Sequence, residues 1–521
     1  MNTAAVETLK THQELEKEVH TLKDQNEGLK KENTILREQL RLLRAKTFAP
    51  SSEKLSALPE QGELFDLGSS EPDADEQENQ EDTPKPKKRK TGRRPLPEHF
   101  ERIQLNHFPE DAPCKQCGSS DFKTLPPDVQ EELIHIPAVM KVLVHHYHKK
   151  MCLTCRSDEK KKTNIVSAPR APRLLPGSQM GASLIAQVMT SKFVDGLPFY
   201  RIEKQMKRFG LNLGRNTMSH WLQVLMIFLK PMWKSMLQDA LATGVLQMDE
   251  TTVQVMREPK RDNKLKSFMW VIRGGPPDRG IILYKYAPTR KAEPAAEMLK
   301  GYQGVLQTDG YQVYQTLAKK NGFVLVGDMD HVRRGFADIC KAEGKRKKLS
   351  YAAKTLKRIN SIYHVEKEAR QNGIVGDALL AKRNAEIKPA LAELQQWLER
   401  LVGKVEPSFP LGKAVAYALR ILPRMEAVFN DARIPISTQL VENAIRPFVI
   451  GRKNWLFAGS PDGAEASAVL YSFVETAKAH GWEPFHYLSW LFEELPKVTD
   501  HKKLDDLLPN RAAPRTVTFS N

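Results

Sequence analysis

Gln247-Met-Asp249-Glu250-Thr251 lies within a β-rich run, Val245 to Met256, that is followed by two more β-rich runs, Ser267 to Ile272 and Ile281 to Tyr286. Gly and Pro residues separate the three runs, as they do where turns join successive strands. The stretch therefore predicts three consecutive strands, with Asp249 on the first.

A second acidic residue closes the next predicted strand. A helical pattern around Pro294 to Lys300 precedes Gly304-Val-Leu-Gln-Thr-Asp309-Gly310, and another helix leads to the strand Phe323 to Val326. Three strands, a helix, a strand, a helix and a strand is the order of an RNase H-like core. In such a core the aspartate on the first strand lies beside the one that ends the fourth.

Carboxylates at such a seam suit divalent cations, because Mg²⁺ prefers oxygen ligands. Two Mg²⁺ or Mn²⁺ ions can activate an attacking oxygen and stabilise a leaving one in an in-line displacement. Asp249 and Asp309 fit these places, and Glu442 in Leu440-Val-Glu442-Asn-Ala-Ile-Arg446-Pro447 is the candidate third ligand. An acid of this kind taken alone is more often a solvated surface residue than a metal ligand, so the interpretation depends on the joint placement of all three.

The composition favours a polyanionic partner. The formal charge is +17 over 521 residues, and clustered Lys and Arg bind phosphates by releasing counterions. A merely soluble or ribosome-associated basic protein is the alternative. The sequence shows neither a membrane-spanning apolar stretch nor a secretory signal, so we expect a cytoplasmic, nucleoid-associated protein without a membrane partner.

Four of the five cysteines form two CxxC pairs, Cys114-Lys-Gln-Cys117 and Cys152-Leu-Thr-Cys155. Two such pairs can close a tetrahedral Zn²⁺ site with no open position, so this zinc would be structural. A redox role would need only one pair, and a disulfide role conflicts with a reducing compartment.

The first segment has the pattern of a leucine zipper. Leucines recur every seven residues, and Val19, Asn26, Asn33 and Leu40 fill the other seam position; the leucines are Leu15, Leu22, Leu29, Leu36 and Leu43. Leu at one seam position with Asn at the other is typical of a parallel dimer, so we expect a homodimer. A single amphipathic helix packed on its own protein is the alternative.

Two further segments are candidates for DNA contact. An acidic stretch from Leu55 to Pro84 changes abruptly to a basic one, in which Arg93 and Arg94 resemble a minor-groove arm. Further on, a helix ending at Gly210 and another beginning at Arg215 resemble a helix-turn-helix (HTH). A solvated charge run and an ordinary helical pair are the respective alternatives.

The chain resembles transposases of the insertion-sequence-66 family over nearly its whole length. The resemblance is carried by the zipper, the double CxxC and these segments: Phe48-Ala-Pro-Ser-Ser-Glu-Lys54, Ser191-Lys-Phe-Val-Asp-Gly-Leu-Pro-Phe-Tyr-Arg201, Met248-Asp-Glu-Thr251, Thr308-Asp-Gly-Tyr311, His331-Val-Arg-Arg334, Arg446-Pro447 and Gly451-Arg-Lys-Asn-Trp-Leu-Phe-Ala-Gly-Ser460. The last string is too long for a chance match.

The resemblance implies a bacterial DDE transposase with Asp249, Asp309 and Glu442 as its triad and two Mg²⁺ or Mn²⁺ ions per active site. Water would cut the DNA at the element end, and the freed 3′-hydroxyl would attack target DNA directly. The partners would be element-end and target DNA, with accessory proteins of the same element as further candidates.

Several basic residues are candidate DNA contacts, because Arg offers a planar donor fork to phosphate. For the residues of His331-Val-Arg-Arg334 the alternative is a helix start with solvated charges. The full candidate set is Arg93, Arg94, Arg215, His331, Arg333, Arg334, Arg446, Arg452 and Lys453. Trp455 and Phe457 are interpreted as either core or base-stacking residues.

The chain departs from the family pattern at two places. Ser437-Thr438-Gln439 stands where the family often has Asp-Asn-Asn, and Asp328 and Asp330 replace a Cys and an Ala near His331. The triad is intact, but activity of this copy is in question, and either aspartate could compete for metal. Glu250, beside Asp249 on a strand, should point to the opposite face.

We therefore expect a multidomain α+β protein with an RNase H-like α/β catalytic core. The wide gap between Asp309 and Glu442 implies a helical insertion in that core. The expected regions are a leucine-zipper coiled coil (1–47), an acidic linker and basic arm (48–100), a zinc ribbon (101–170), a helical HTH-like domain (176–240), the catalytic domain (241–465, insertion about 337–430) and a C-terminal helical segment and tail (466–521). An RNase H-like nuclease that cuts without joining and a non-catalytic DNA-binding regulator derived from a transposase are the rival functions.

Overall fold

The computed structural model describes residues 140–151, 165–167, 169, 170, 172–343 and 350–514, with parts of 19–40. The chain divides into two compact units, Met1–Leu64 with Pro169–Asn521, and Phe65–Ala168. Within the described ranges, none of the helices is both long and apolar enough to cross a membrane.

The described residues between 19 and 40 are helical, as the heptad pattern predicts. Their seam side chains face solvent in the single chain: Leu22 is 55% exposed, Leu29 63% and Leu36 56%. Leucines left this exposed on one helix are typical of a surface that a partner covers. Dimerisation through this helix remains a prediction.

The unit Phe65–Ala168 contains a short antiparallel pair, β1 (Lys149–Met151) and β2 (Ile165–Ser167), in which Lys149 pairs with Ser167. The second CxxC pair lies in the connection between these strands. All four cysteines of the predicted zinc site, together with Arg93 and Arg94, lie outside the described residues, so those predictions stay untested.

The larger unit is built on a five-stranded mixed sheet of order β5-β4-β3-β6-β7. Its strands are β3 (Val245–Gln254), β4 (Lys266–Gly274), β5 (Ile281–Ala287), β6 (Val305–Gln307) and β7 (Val324–Val326). The first three pair antiparallel, whereas β6 pairs parallel with both β3 and β7. Parallel pairs need crossovers, which the helices α4 (Ala292–Met298) and α5 (Gln312–Asn321) provide. The predicted order of strands and helices is confirmed.

Within residues 172–244, directly before the sheet, lie the helices α1 (Ala182–Phe193), α2 (Phe199–Arg208) and α3 (Arg215–Ala242). The turn after α2 uses Gly210 at φ +79°, a conformation that glycine adopts without strain. The buried residues of α3, including Met218, Leu225 and Met236, belong to the same hydrophobic core as the strands. The segment predicted to be HTH-like therefore packs against the sheet, and its role in DNA binding stays a prediction.

A second hydrophobic core lies among the helices between β7 and the final helices. This helical region would correspond to the predicted insertion. Its elements are α6 (Met329–Glu343), α7 (Tyr351–Gln371), α8 (Gly376–Lys382), a π-helical stretch (Arg383–Ile387), α9 (Lys388–Val402), α10 (Pro410–Ile421) and a 3-10 stretch (Leu422–Phe429).

The chain then returns to the sheet through α11 (Gln439–Trp455), α12 (Pro461–Ala479) and α13 (Pro484–Glu494), followed by 3-10 turns at Leu495–Lys497 and His501–Leu507. Helix α12 covers the edge strand β5. The Thr476 hydroxyl accepts from Ile282 N and donates to Ile282 O, both at 2.9 Å, and Ser472 Oγ accepts from Tyr284 N at 2.8 Å. Side chains of α12 thus satisfy backbone groups that an edge strand leaves unpaired.

Candidate active site

Asp249 lies on β3 and Asp309 just beyond the end of the neighbouring parallel strand β6, at equivalent positions. Gln247 on β3 is in register with Gln307 at the end of β6, and each aspartate follows its glutamine by two residues. The Asp309 carboxylate accepts from Tyr311 N at 2.9 Å, which fixes it at the strand-to-helix turn. The sheet therefore places the two aspartates at one seam.

The Asp249 carboxyl lies among like charges. Burial, followed by the nearby Glu250 and Asp309 carboxylates, raises its pKa to about 7. The Glu250 backbone N–H, which donates to Asp249 Oδ1 at 2.8 Å, opposes this increase. Carboxylates gathered in a poorly solvated place repel one another, and a bound cation relieves that repulsion.

Glu442 lies in the first turn of α11 and contacts two basic side chains. Arg334 Nη2 donates to both oxygens of its carboxylate, at 3.0 and 3.1 Å, and His331 Nδ1 lies 3.9 Å from Glu442 Oε1. The side chains are partly solvated, with Arg334 50% and Glu442 26% exposed.

His331 is held by the buried Asp328 carboxylate. Asp328 accepts from His331 Nδ1 at 2.5 Å and from three backbone N–H groups, those of Asp330, His331 and Thr438, at 3.0–3.1 Å. Burial alone would lower the pKa of His331, but the Asp328 carboxylate raises it to about 9. Asp328 and Thr438, two positions at which the chain departs from the family pattern, are therefore hydrogen-bonded to each other.

The ligand atoms of Asp328, His331 and Glu442 all lie within 4.8 Å of one another, close enough to share a metal ion. The Asp328 oxygens, however, already accept four hydrogen bonds. His331 interacts electrostatically with both Asp249 and Glu442. The imidazole thus interacts with both the aspartate seam and the glutamate. The predicted ligands Asp249, Asp309 and Glu442 do not themselves form such a group, because among the described residues their ligand atoms do not all lie within 4.8 Å of one another. We refer to Asp249, Asp309, His331 and Glu442 as the acidic site.

The model of the family described as "Transposase IS66 family" matches residues 177–466, which include the acidic site. The chain belongs to the IS66 transposase family. Residues 35–104 match a model described as "Transposase C of IS166 homeodomain", and residues 472–510 match "IS66 C-terminal element".

Similar proteins occur in Sinorhizobium fredii. The "Uncharacterized protein y4qI" is 28% identical over 437 residues, covering 82% of this chain and 78% of the relative. The "Uncharacterized protein y4jD" is 26% identical over 428 residues, covering 80% of this chain and 81% of the relative.

Glu250, beside Asp249, has partners of its own in this transposase-family chain. Its carboxylate is 2% exposed, accepts from Arg290 Nε at 2.5 Å and accepts from the Tyr314 hydroxyl at 2.8 Å. The guanidinium of Arg290 also lies over the Tyr311 ring, 4.1 Å from its centroid. These partners, rather than the acidic site, hold the Glu250 carboxylate.

The predicted DNA contacts on α11 differ in their surroundings. Arg446 and Lys453 are exposed. Arg452 instead points to β3, where its Nη1 contacts Thr251 Oγ1 at 3.1 Å and Thr252 Oγ1 at 3.2 Å. We therefore interpret Arg452 as joining the end of the helix to the strand.

Other residues that were predicted to contact DNA also have partners within the protein. Arg333 Nε donates to Asn360 Oδ1 at 3.1 Å, and Arg215, at the start of α3, forms an ion pair with Glu203 at 3.3 Å. Trp455 packs edge-on against the buried Phe448 ring, at 5.6 Å between centroids, whereas Phe457 is exposed. Trp455 is therefore a packing residue.

Two polar residues beneath the acidic site, Gln247 and Gln307, were not predicted from the sequence. Both are buried, and they are hydrogen-bonded to each other. A signal for them does exist, because Gln-x-Asp occurs twice, as Gln247-Met-Asp249 and Gln307-Thr-Asp309. A buried amide two residues before each acid, on the same strand, is the pattern to look for.

Proposed function

We propose that the chain is a DNA transposase in which Asp249, Asp309 and Glu442 bind the divalent cations for DNA cleavage and strand transfer. The main support is the placement of Asp249 and Asp309 beside each other. Each aspartate lies two residues after a glutamine of the Gln247–Gln307 pair that joins the parallel strands β3 and β6, and the helix that carries Glu442 is hydrogen-bonded to β3 through Val441 N and Gln247 Oε1 at 3.1 Å.

The sheet topology supports an RNase H-like interpretation. Three antiparallel strands followed by two parallel ones, in the order β5-β4-β3-β6-β7, match the arrangement expected for that core. The helical region between β7 and α11 has its own hydrophobic core, as an insertion of this size requires. Family membership adds independent support.

The residues fit a hard divalent cation. Carboxylate oxygens are the donors that Mg²⁺ and Mn²⁺ prefer. Burial first, and then the nearby carboxylates of Glu250 and Asp309, raise the pKa of Asp249 to about 7, and a cation would relieve the repulsion among these negative charges. Bound cations in such sites stabilise charge on the phosphoryl group during in-line displacement. Asp249, Asp309 and Glu442 would hold them.

Arg334 has two possible anionic partners. Without DNA it neutralises Glu442, and only its Nη2 donates to the carboxylate. A DNA phosphate would compete with Glu442 for this half-exposed guanidinium, because phosphate, like carboxylate, carries acceptor oxygens that match the donor fork. Arg334 would move to the phosphate and free Glu442, while Asp328 keeps the His331 ring oriented beside it.

The reaction would take place in two displacements. A water oxygen attacks the phosphorus at the element end, the bond to the 3′-oxygen breaks, and a free 3′-hydroxyl and a 5′-phosphate result. That 3′-oxygen then attacks a target phosphorus, releases a target 3′-hydroxyl and joins the strands. The predicted structural zinc, the zipper dimer and helper proteins would serve assembly on DNA.

The test is cleavage and strand transfer by the full-length protein on DNA that carries its own element ends, with Mg²⁺. Asp249→Asn should abolish both activities and leave DNA binding intact, because it removes one carboxylate from the seam. Asp262→Asn is the matched control, since Asp262 is an exposed acid whose carboxylate accepts from Lys264 N in a turn, at 2.9 Å.

Each rival predicts a different result. Cleavage without joining in the intact protein would favour a nuclease. Salt-dependent DNA binding without Mg²⁺-dependent cleavage would favour a regulator. Equal activity of Asp249→Asn and Asp262→Asn would exclude the proposed site.

A further inference from the structure

Gln247 and Gln307 form a buried amide pair directly beneath the acidic site. Gln247 Nε2 donates to Gln307 Oε1 at 2.8 Å across the parallel pair β3 and β6. The two side chains are 3% and 0% exposed. Each lies two residues before an aspartate of the site, so the pair has a fixed relation to both aspartates.

The remaining bonds of the pair are all to backbone groups. Gln247 Nε2 donates to Ser437 O at 2.8 Å, and its Oε1 accepts from Val441 N at 3.1 Å. Gln307 Nε2 donates to Pro435 O at 2.8 Å and to Gly327 O at 3.0 Å. Three of these four groups belong to residues 435–441, the segment that leads to Glu442.

The same segment is bonded on its other side to the start of α6. Thr438 N donates to Asp328 Oδ1 at 3.0 Å, and Met329 N donates to Ile436 O at 3.2 Å. The backbone that leads to Glu442 is therefore fixed to both aspartate strands and to the helix that carries His331.

We propose that Gln247 and Gln307 are positioning residues that set the place of Glu442 relative to Asp249 and Asp309 before any cation binds. This inference rests on the proposed function, because it assigns these three carboxylates to one cation site. The amides touch neither DNA nor cation, and they act through the backbone of residues 435–441.

A purely structural role for the amides makes a different prediction. Buried backbone groups need partners, and the pair would then serve only to satisfy those of residues 435–441. Replacing the amides would lower stability but would leave the cation affinity of the folded protein unchanged. A positioning role predicts weaker cation binding in folded protein, since the supporting partners of metal sites typically contribute about 10- to 100-fold to affinity.

The experiment measures Mn²⁺ binding to the full-length, DNA-free protein by the loss of the free Mn²⁺ signal in electron paramagnetic resonance. Asp249→Asn identifies which bound Mn²⁺ belongs to the site. Gln247→Met and Gln307→Met remove the amides with little change in volume. Gln254→Met is the matched control, because Gln254 lies at the exposed end of the same strand.

We expect Gln247→Met to weaken Mn²⁺ binding by about tenfold or more, Gln307→Met to weaken it less, and Gln254→Met to leave it unchanged. Folded Gln247→Met that binds Mn²⁺ within about twofold of Gln254→Met would overturn the inference. Wild-type protein that binds Mn²⁺ with the expected dependence on Gln247 but cuts no DNA would instead reject the proposed function.

A second measurement needs no variant. In the wild-type protein, hydrogen exchange of residues 435–442 should already be slow without Mn²⁺ and should change little when Mn²⁺ is added. Rapid exchange that becomes slow only with Mn²⁺ would show that the cation, not the amide pair, orders this segment.

Discussion

Replacing Arg334 with alanine should strengthen Mn²⁺ binding and slow DNA cleavage. Arg334 Nη2 donates to both Glu442 oxygens in the DNA-free protein, so Arg334→Ala frees the carboxylate and should strengthen Mn²⁺ binding. The same change removes a donor for the DNA phosphate and should slow cleavage. If Arg334 had only a structural role, its replacement would not strengthen Mn²⁺ binding while slowing cleavage.

The structure sets the size of each effect. Arg334 is 50% exposed and Glu442 26%, and ion pairs this exposed contribute about 1 kcal/mol at most, which limits the gain in Mn²⁺ affinity to about fivefold. A charge-assisted hydrogen bond to phosphate contributes about 1.5–3 kcal/mol, so cleavage should fall about 10- to 150-fold. The loss in cleavage should therefore exceed the gain in affinity.

The assay pairs Mn²⁺ titration of DNA-free protein with single-turnover cleavage at saturating Mn²⁺. Arg511→Ala is the control, because Arg511 forms a comparable ion pair with Asp239 at 2.8 Å, outside the acidic site. Unchanged or weaker Mn²⁺ binding by Arg334→Ala would refute the idea that the arginine restrains Glu442.

Three further predictions concern stability, protonation and the second metal. Thr476→Val should lower the free energy of unfolding by about 2–4 kcal/mol, because it leaves a buried N–H and C=O of β5 without partners. Thr316→Val, at an exposed position of α5, should change it little in the same denaturant titration. Asp328→Asn should bring the pKa of His331 from about 9 to its ordinary value or below, as followed by NMR titration; a pKa still near 9 would contradict the assigned partner. Metal analysis should find about one Zn per wild-type chain and less in Cys114→Ser, and undiminished zinc in that variant would exclude the predicted ligand set.

The strands and the two aspartates could be predicted from sequence because their signals are local. The β-rich runs and turn residues around Gln247-Met-Asp249 fix the order of elements, and Asp309 follows directly from the end of a strand. From the residues alone Glu442 is only a candidate third ligand, since no local pattern distinguishes it from other helix-start acids, and the family resemblance then implies its place in the triad. The sequence alone could not place it against β3.

The partners of each charged side chain could not be predicted, because they come from distant parts of the chain. Arg334 and Glu442 are 108 residues apart, and Arg452 reaches Thr251 from 201 residues away. The planar donor fork of arginine favoured a DNA contact for both Arg334 and Arg452. In the DNA-free structure Arg334 pairs with Glu442 and Arg452 joins β3, because only the tertiary fold determines which anion or carbonyl is nearest, and their contacts with DNA stay predictions.

The packing of α12 on the edge strand β5 has a consequence for shortened copies of this chain. The family's C-terminal element matches from residue 472, the serine that caps Tyr284 N, so a gene product ending just before it would lose both hydroxyls that shield the strand. Its bare edge could then recruit strands from other molecules. Such truncated products should form intermolecular β-aggregates rather than act as dominant inhibitors of an intact transposase.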